Sequence, residues 1–201
     1  TSQGAFMGAL IARAAGDADR TLAPASRFCW QMSSARALLR EFVAGSWPLP
    51  LLSYFGGGGF ANAVRDAVGG GRVEDCWLNV FCVSTDLTNV RPACHKAGEL
   101  AKYVTASMSL TTLLPPVYDH ADGGRLLVDG AYCDNLPVSI MRDEYGARVV
   151  IGVDVENKDH SAFDDIAPWD YLSGYPGYRV LARRARNALA AALGVERAAG
   201  W

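Results

Sequence analysis

Hydrophobic and small residues recur at helical spacing along much of the chain. Within residues 4–15 the small residues Gly4, Gly8 and Ala12 recur every four positions, which gives a helix a flat side that can approach a sheet closely. Periodicity and helix-start residues predict further helices at 34–44, 60–68, 99–109, 136–145 and 178–193. Helices are therefore expected near both ends of the chain and between the predicted strands.

Three stretches have the pattern of strands. Residues 78–84 are mostly apolar and partly β-branched, and the short stretch 126–128 runs into an Asp-Gly pair. Residues 148–155 are almost all apolar, as expected of a strand that is buried on both faces of a parallel sheet. Strands that alternate with helices predict an α/β layered fold.

Three other stretches are predicted to be irregular. Residues 16–25 are polar and contain Pro24, which favours a loop. Residues 47–55 are apolar but interrupted by prolines, so they suit neither a helix nor a central strand. Their side chains pack in the core, or they rest on a membrane or line an acyl channel. The run Gly56–Gly59 is interpreted as a flexible connection.

Composition narrows the class of protein. The chain has 201 residues, of which 50% are hydrophobic and 20% charged, as in a single soluble globular domain. A formal net charge of -2 provides no basic field for nucleic acid. No run approaches the ~18 consecutive apolar residues that a membrane-spanning helix needs. Five cysteines without a CxxC motif predict reduced intracellular thiols, and three scattered histidines do not predict a metal site.

A candidate nucleophile stands at the start of the chain. Thr1-Ser2-Gln3-Gly4 matches the last four positions of the Gly-x-Ser-x-Gly nucleophile elbow, in which a sharp turn before a helix presents the serine hydroxyl. The backbone N–H of Gln3 would then donate to an oxyanion on the substrate. The alternative is that Ser2 only caps the helix that follows.

A serine needs a base, and Asp129 is the candidate that the pattern favours. It follows the predicted strand 126–128 and precedes Gly130, at a strand end where catalytic groups often lie. A carboxylate held against the hydroxyl in a dry cleft can accept its proton directly. The alternative is a plain Asp-Gly turn. His95, His120 and His160 lack a supporting strand and are predicted to be surface residues.

Four ordered blocks resemble a known family. Residues 1–10 (TSQGAFMGAL) and 127–137 (LVDGAYCDNLP) are similar to the two catalytic blocks of the patatin-like phospholipases, and within them to the neuropathy target esterase group of lysophospholipases. Residues 73–88 and 103–116 support that subgroup, and the similarity keeps its order as far as about residue 155.

The resemblance implies a fold and a site. The fold would be a three-layer α/β/α sandwich with a mostly parallel central sheet. Catalysis would use a Ser-Asp dyad without histidine, with Ser2 as nucleophile and Asp129 as general base in the motif Asp129-Gly130-Ala131. The family takes its oxyanion loop from upstream of the elbow. Residues 1–201 are thus expected to be one domain that lacks its N-terminal strand and oxyanion loop, with 156–201 as a C-terminal extension.

The resemblance also implies an activity. The expected reaction is hydrolysis of fatty acyl esters in phospholipids or lysophospholipids through an acyl-enzyme, with no metal or organic cofactor. The substrate implies contact with a membrane surface and an intracellular place at or anchored to a membrane, by resemblance the endoplasmic reticulum. Two alternatives are a lipid transacylase that uses the same dyad and a catalytically incomplete, lipid-binding fragment.

The other charged residues receive structural interpretations. Asp86 and Asp154 follow predicted strands and are expected to make hydrogen bonds at strand ends, although either could assist as an acid. Lys96 and Arg125 are expected to be solvated charges, with binding of a lipid phosphate as the alternative.

Overall fold

The computed structural model describes residues 1–34, 36, 37, 39, 40 and 53–154. Residues Thr1–Gly152 form one compact unit, and a second unit, Val153–Trp201, is described only at its first two residues. Most of the apolar stretch 47–55, the helix predicted at 178–193 and the extension 156–201 lie outside the described residues.

The described elements alternate between helix and strand, which confirms the α/β class. The helices are α1 (Gln3–Arg13), α2 (Ala18–Ser33), α3 (Gly58–Val68), α4 (Leu100–Ser107) and α5 (Val138–Asp143). The strands are β1 (Cys82–Asp86), β2 (Arg91–His95), β3 (Val117–Asp119) and β4 (Arg125–Asp129). The helices predicted at 4–15, 60–68, 99–109 and 136–145 are confirmed with somewhat different ends. Residues 36, 37, 39 and 40 are helical, in line with the helix predicted at 34–44.

The four described strands form one sheet in the order β2-β1-β4-β3. Each pair of neighbours is antiparallel, and Ser84 of β1 lies opposite Asp129 of β4. The expectation of a mostly parallel sheet is therefore not confirmed in this part of the chain. Short connections join β1 to β2 and β3 to β4, and such connections allow only antiparallel neighbours, because a parallel crossover needs a dozen or so residues.

The prediction of a strand at 148–155 is wrong for residues 148–154, which the structure describes. No strand forms there, and Val149, Ile151 and Val153 expose 82%, 86% and 75% of their surface. A strand needs a hydrogen-bonded neighbour, and none of the four described strands pairs with this segment. The apolar composition alone therefore did not decide its conformation.

The prediction of a loop at 16–25 is also wrong, because α2 begins at Ala18 and passes through Pro24. Asp17 caps the helix by accepting a hydrogen bond from the Arg20 N–H at 3.0 Å. Thr21, Ala25 and Phe28 then form a buried face at spacings of four and three residues. Packing of that face compensates for the hydrogen bond that proline cannot donate.

The two edge strands of the described sheet, β2 and β3, were not predicted from the sequence, and the ends of β1 were predicted incorrectly. β2 contains Pro92 and β3 directly follows Pro115-Pro116, and proline is tolerated only where a strand edge faces solvent. The strand predicted at 78–84 begins only at Cys82 and extends to Asp86.

The core lies between the sheet and the four longer helices. The ring of Phe28 in α2 packs at a tilt against Phe6 of α1 and edge-on against Phe60 of α3, with ring centroids 4.6 and 6.0 Å apart. The prediction of a flat glycine face on α1 is wrong. A Cβ at Gly4 would meet nothing within 4 Å and one at Gly8 only ordinary contact, while the helix buries larger residues against α2, α3 and α4.

His95 lies in the core and not on the surface, which corrects the prediction. It is 4% exposed, its ring stacks on Tyr103 with centroids 4.0 Å apart, and its Nε2 lies 2.6 Å from the Ser84 hydroxyl oxygen. Burial lowers the pKa of His95 to about 4, and the positive charge of Arg125 acts in the same direction. The imidazole is therefore neutral in the folded protein at neutral pH.

Protonation of His95 is expected to destabilise the fold. In the unfolded chain an ordinary histidine binds its proton near pH 6.5, whereas the folded protein resists protonation down to about pH 4. Stability should therefore fall by up to about 3 kcal/mol as the pH drops from about 6.5 to about 4. Chemical denaturation at a series of pH values measures this loss. His95→Gln should remove it, and the exposed control His120→Gln should retain it; an identical pH dependence in His95→Gln would refute the assignment.

Candidate active site

Ser2 occupies the sharp turn that leads into α1. Its backbone has φ 50° and ψ -127°, a combination that costs a non-glycine residue roughly 1–3 kcal/mol. Its hydroxyl makes no hydrogen bond to the N–H groups of the helix, so the capping alternative is wrong. The hydroxyl oxygen instead lies 2.7 Å from Oδ2 of Asp129 and donates to it.

Asp129 ends β4 and is completely buried. Its second oxygen, Oδ1, accepts the N–H of Ala131 at 2.9 Å, and its own N–H donates to the carbonyl of Ser109 at 2.9 Å. One carboxylate oxygen therefore holds the turn, as the Asp-Gly alternative predicts, while the other receives the Ser2 hydroxyl.

Two backbone donors lie next to Ser2. The N–H groups of Gln3 and Gly4 have no hydrogen-bond partner among the described residues, because the bonds of α1 begin with the N–H of Ala5. The positive end of the α1 dipole adds to their effect. The N–H of Gln3, the predicted oxyanion donor, therefore has no competing partner among the described residues. A side chain at Gly4 would meet nothing within 4 Å, so Gly4 does not relieve crowding in the described residues.

Close packing of the backbone requires a glycine at position 130. A Cβ there would lie 2.2 Å from the carbonyl oxygen of Val83 and 2.3 Å from Cγ2 of Thr1. The chain can therefore pass between β1 and the turn at Thr1 and Ser2 only without a side chain. Ala131, the third residue of the predicted motif, contributes its backbone N–H to Asp129.

Comparison with known proteins decides the family. The model of the patatin-like phospholipases matches residues 1–142. The chain belongs to this family. It is 37% identical to patatin-like phospholipase domain-containing protein 7 of Mus musculus and 38% identical to domain-containing protein 6 of Homo sapiens, with 87% of the chain covered in each case. It is 36% identical to lysophospholipase NTE1 of Yarrowia lipolytica over 92% of the chain. The chain spans 12% of the length of each of these relatives.

No described histidine hydrogen-bonds to Ser2 in this patatin-like domain. His95 bonds to Ser84 in the core, and the exposed His120 packs edge-on against Tyr118. His160 lies outside the described residues. Ser2 therefore has a carboxylate as its partner in the part of the chain that the structure describes.

The other charged residues have structural partners. Burial would raise the pKa of Asp86, but hydrogen bonds from Asn89 and from the N–H of Thr88 outweigh that effect and lower it, as predicted for a carboxylate at a strand end. Asp119 likewise has a lowered pKa, because hydrogen bonds from Lys102 and Arg125 outweigh its burial. These contacts stabilise both buried carboxylates, so their burial is explained without a role in catalysis.

Two predictions about charges and glycines are corrected. Arg125 is not a free surface charge, since its Nε and Nη2 each lie 3.1 Å from Oδ2 of Asp119. Lys96 is exposed, as expected of a solvated charge, and it pairs with Glu144 at the surface. Gly57 has φ 75° and precedes α3, and a Cβ there would lie 2.7 Å from Cδ of Pro115. The glycine run therefore forms the start of a helix against Pro115 and not a flexible connection.

The five cysteines are free thiols, and all five lie in the described residues. Burial raises the pKa of Cys82 to about 12 and that of Cys94 to about 11. Both therefore remain protonated at neutral pH. Within the described ranges no group of three or more His, Cys, Asp or Glu side chains is placed to hold a metal ion.

Ser107 contacts Ser2 and was not predicted from the sequence. Its hydroxyl oxygen lies 2.9 Å from the Ser2 nitrogen, although the two residues are 105 positions apart. No motif in the sequence marks this contact. Only the structure shows that Ser107 is fully buried, and a buried hydroxyl has a specific partner.

Replacement of Gly130 tests the close packing beside the turn at Thr1 and Ser2. Gly130→Ala should lower the free energy of unfolding by about 1–3 kcal/mol, because the new Cβ would overlap a backbone carbonyl that cannot rotate away. Gly4→Ala is the matched control, since its Cβ enters open space and should change stability by less than about 1 kcal/mol. Urea denaturation of both variants measures the difference, and equal stabilities would contradict the packing argument.

Proposed function

We propose that this domain is a serine hydrolase that cleaves fatty acyl esters of phospholipids or lysophospholipids, with Ser2 as nucleophile and Asp129 as general base. The observation that supports this most is the 2.7 Å hydrogen bond from the Ser2 hydroxyl to Asp129 Oδ2. A serine hydroxyl attacks an ester only when a base removes its proton, and this carboxylate is at hydrogen-bond distance from it.

The orientation of the carboxylate suits this role. Asp129 is fully buried, and the bond from Ala131 to Oδ1 fixes its rotation, so that Oδ2 points at the Ser2 hydroxyl. In a site shielded from water the carboxylate is not surrounded by competing donors.

The proposed reaction has two steps. The Ser2 oxygen bonds to the ester carbonyl carbon while its proton passes to Asp129, and the free N–H groups of Gln3 and Gly4 stabilise the oxyanion. Collapse of the intermediate releases the alcohol, which takes up the proton, and leaves an acyl-enzyme. Water then attacks the acyl carbonyl and gives a proton to Asp129. Collapse of this second intermediate breaks the bond to the Ser2 oxygen, which takes the proton back from Asp129, and the fatty acid leaves.

The choice of substrate rests on the relatives and on the surface beside the site. One relative is named a lysophospholipase and others are named for a patatin-like phospholipase domain. The segments that follow Asp129 and its hydrogen-bond partner Ser109 expose apolar side chains, namely Leu110, Leu113, Tyr132 and Leu136. This surface suits contact with acyl chains at a membrane. No helix in the described part of the chain is long and apolar enough to cross a bilayer.

The proposal extends to the complete domain. We propose that the full domain is a three-layer sandwich with a mostly parallel sheet and draws further oxyanion donors from a glycine-rich loop. Family membership supports this architecture. We also propose that residues 1–201 belong to one domain that acts at an intracellular membrane surface.

Covalent labelling tests the nucleophile. The full-length protein should react with a fluorophosphonate at Ser2, because the reagent captures a serine that is activated by a base. Ser2→Ala should abolish the label, and Ser139→Ala, which removes an exposed serine on α5, should leave it unchanged. Intact-mass spectrometry and peptide mapping measure the adduct. A label that survives Ser2→Ala would exclude Ser2 as the nucleophile.

Neutralisation of the base tests its role. Asp129→Asn keeps the shape of the side chain but cannot accept the proton, so kcat for fatty acid release should fall by roughly 10²–10⁴-fold. Its circular dichroism melting curve should stay close to that of the wild type. Asp134→Asn, in the same loop, is the matched control and should keep near-normal turnover. Comparable turnover of Asp129→Asn and wild type would rule out Asp129 as the base.

A further inference from the structure

Ser107 lies at the end of α4 with no exposed surface, and its hydroxyl makes two hydrogen bonds. Its oxygen is 2.9 Å from the Ser2 nitrogen and 2.6 Å from the carbonyl oxygen of Val83. A backbone N–H can only donate and a backbone carbonyl can only accept. The Ser107 hydroxyl therefore accepts from Ser2 and donates to Val83, and its orientation is fixed by its partners.

This bond ties the nucleophile to the strand that also holds the base. Val83 lies in β1, and its neighbour Ser84 is paired with Asp129 across the sheet. Ser107 thus links the Ser2 backbone to one residue of β1, while the ladder links Asp129 to the next. The 2.7 Å separation between the Ser2 hydroxyl and the carboxylate is set by these two attachments.

The strained backbone of Ser2 requires such an attachment. A non-glycine residue with φ 50° persists only where its surroundings hold it there. The Ser2 carbonyl accepts the N–H groups of Ala5 and Phe6, which fixes the helix side of the turn. Ser107 fixes the Ser2 N–H itself, on the other side of the residue.

An ordinary helix-end serine does not explain these contacts. Thr105 in α4 and Ser109, two residues after its end, each donate to the backbone carbonyl four residues earlier. Ser107 makes no such local bond in the described residues, and its partners lie 105 and 24 positions away in sequence.

We propose that Ser107 is a positioning residue that holds the strained Ser2 backbone so that the nucleophile hydroxyl meets Asp129. This inference rests on the proposed function of Ser2. Ser107 acts through Ser2 and its hydroxyl is committed to two backbone groups, so it does not itself transfer a proton.

The test compares two buried serines in the full-length protein. Ser107→Ala removes the acceptor of the Ser2 N–H, whereas the matched control Ser109→Ala removes a hydroxyl of similar burial that bonds to the nearby carbonyl of Thr105. The carbonyl of Ser109, which accepts from Asp129, is retained in the control. We expect kcat and the rate of phosphonate labelling to fall about 10- to 100-fold in Ser107→Ala, with KM little changed, because a small misplacement of a reacting group has an effect of this size. Ser109→Ala should stay near the wild type.

Amide hydrogen exchange at Ser2 provides a readout that does not need activity. The Ser2 N–H should exchange faster in Ser107→Ala and at the wild-type rate in Ser109→Ala, as measured by mass spectrometry of the peptide that contains it. If Ser107→Ala does not fold, Ser107→Cys provides a side chain of the same shape, slightly larger, with a weaker acceptor, and it should show intermediate exchange and turnover.

The outcomes separate this inference from the proposed function. Equal losses of kcat in Ser107→Ala and Ser109→Ala, or unchanged Ser2 exchange in Ser107→Ala, would overturn the positioning role. If the wild type neither hydrolyses lipid esters nor takes the label, the proposed function fails, and amide exchange still decides whether Ser107 holds Ser2.

Discussion

The hydrogen bond between the Ser2 hydroxyl and Asp129 depends on a backbone that is costly to maintain. Ser2 has a positive φ, and the cost is offset by bonds on every side: from Ala5 and Phe6 to its carbonyl, from its N–H to Ser107, and from its hydroxyl to Asp129. Strand β1 is linked to both Ser2, through Ser107, and Asp129. Its Val83 carbonyl receives Ser107 and comes so close to Gly130 that a side chain there would overlap it, while Ser84 is paired with Asp129.

Hydrogen bonds fix the orientation of most polar groups at this site. Asp129 uses one oxygen for the turn and offers the other to Ser2, and the Ser107 hydroxyl has both its donor and its acceptor capacity in use. The N–H groups of Gln3 and Gly4 are the exception, since they have no partner among the described residues. Unpaired donors beside an oriented hydroxyl are what an oxyanion requires, because they need not reorganise when the charge forms.

Local sequence signals predicted much of the described fold. They failed where packing or pairing with other elements determines the conformation. Helix periodicity found α1, α3, α4 and α5, and the Asp-Gly pair marked the end of β4. The proline rule failed in α2, where the buried Thr21, Ala25 and Phe28 outweigh Pro24. Apolar composition failed at 148–154, because a strand forms only beside a partner. His95 has no periodic pattern around it that reveals burial, since its place in the core comes from pairing with β1 and stacking on Tyr103.

The sequence alone determined the family and the two residues worth testing, because short motifs at Ser2 and Asp129 occur in a fixed order with the blocks between them. It also predicted that no histidine would serve as the base. Only the tertiary structure brought together residues 127 positions apart and placed the Ser2 hydroxyl 2.7 Å from a buried carboxylate. It alone revealed Ser107, whose partners are distant in the chain, because hydrogen bonds to backbone groups depend on geometry and leave no motif in the sequence.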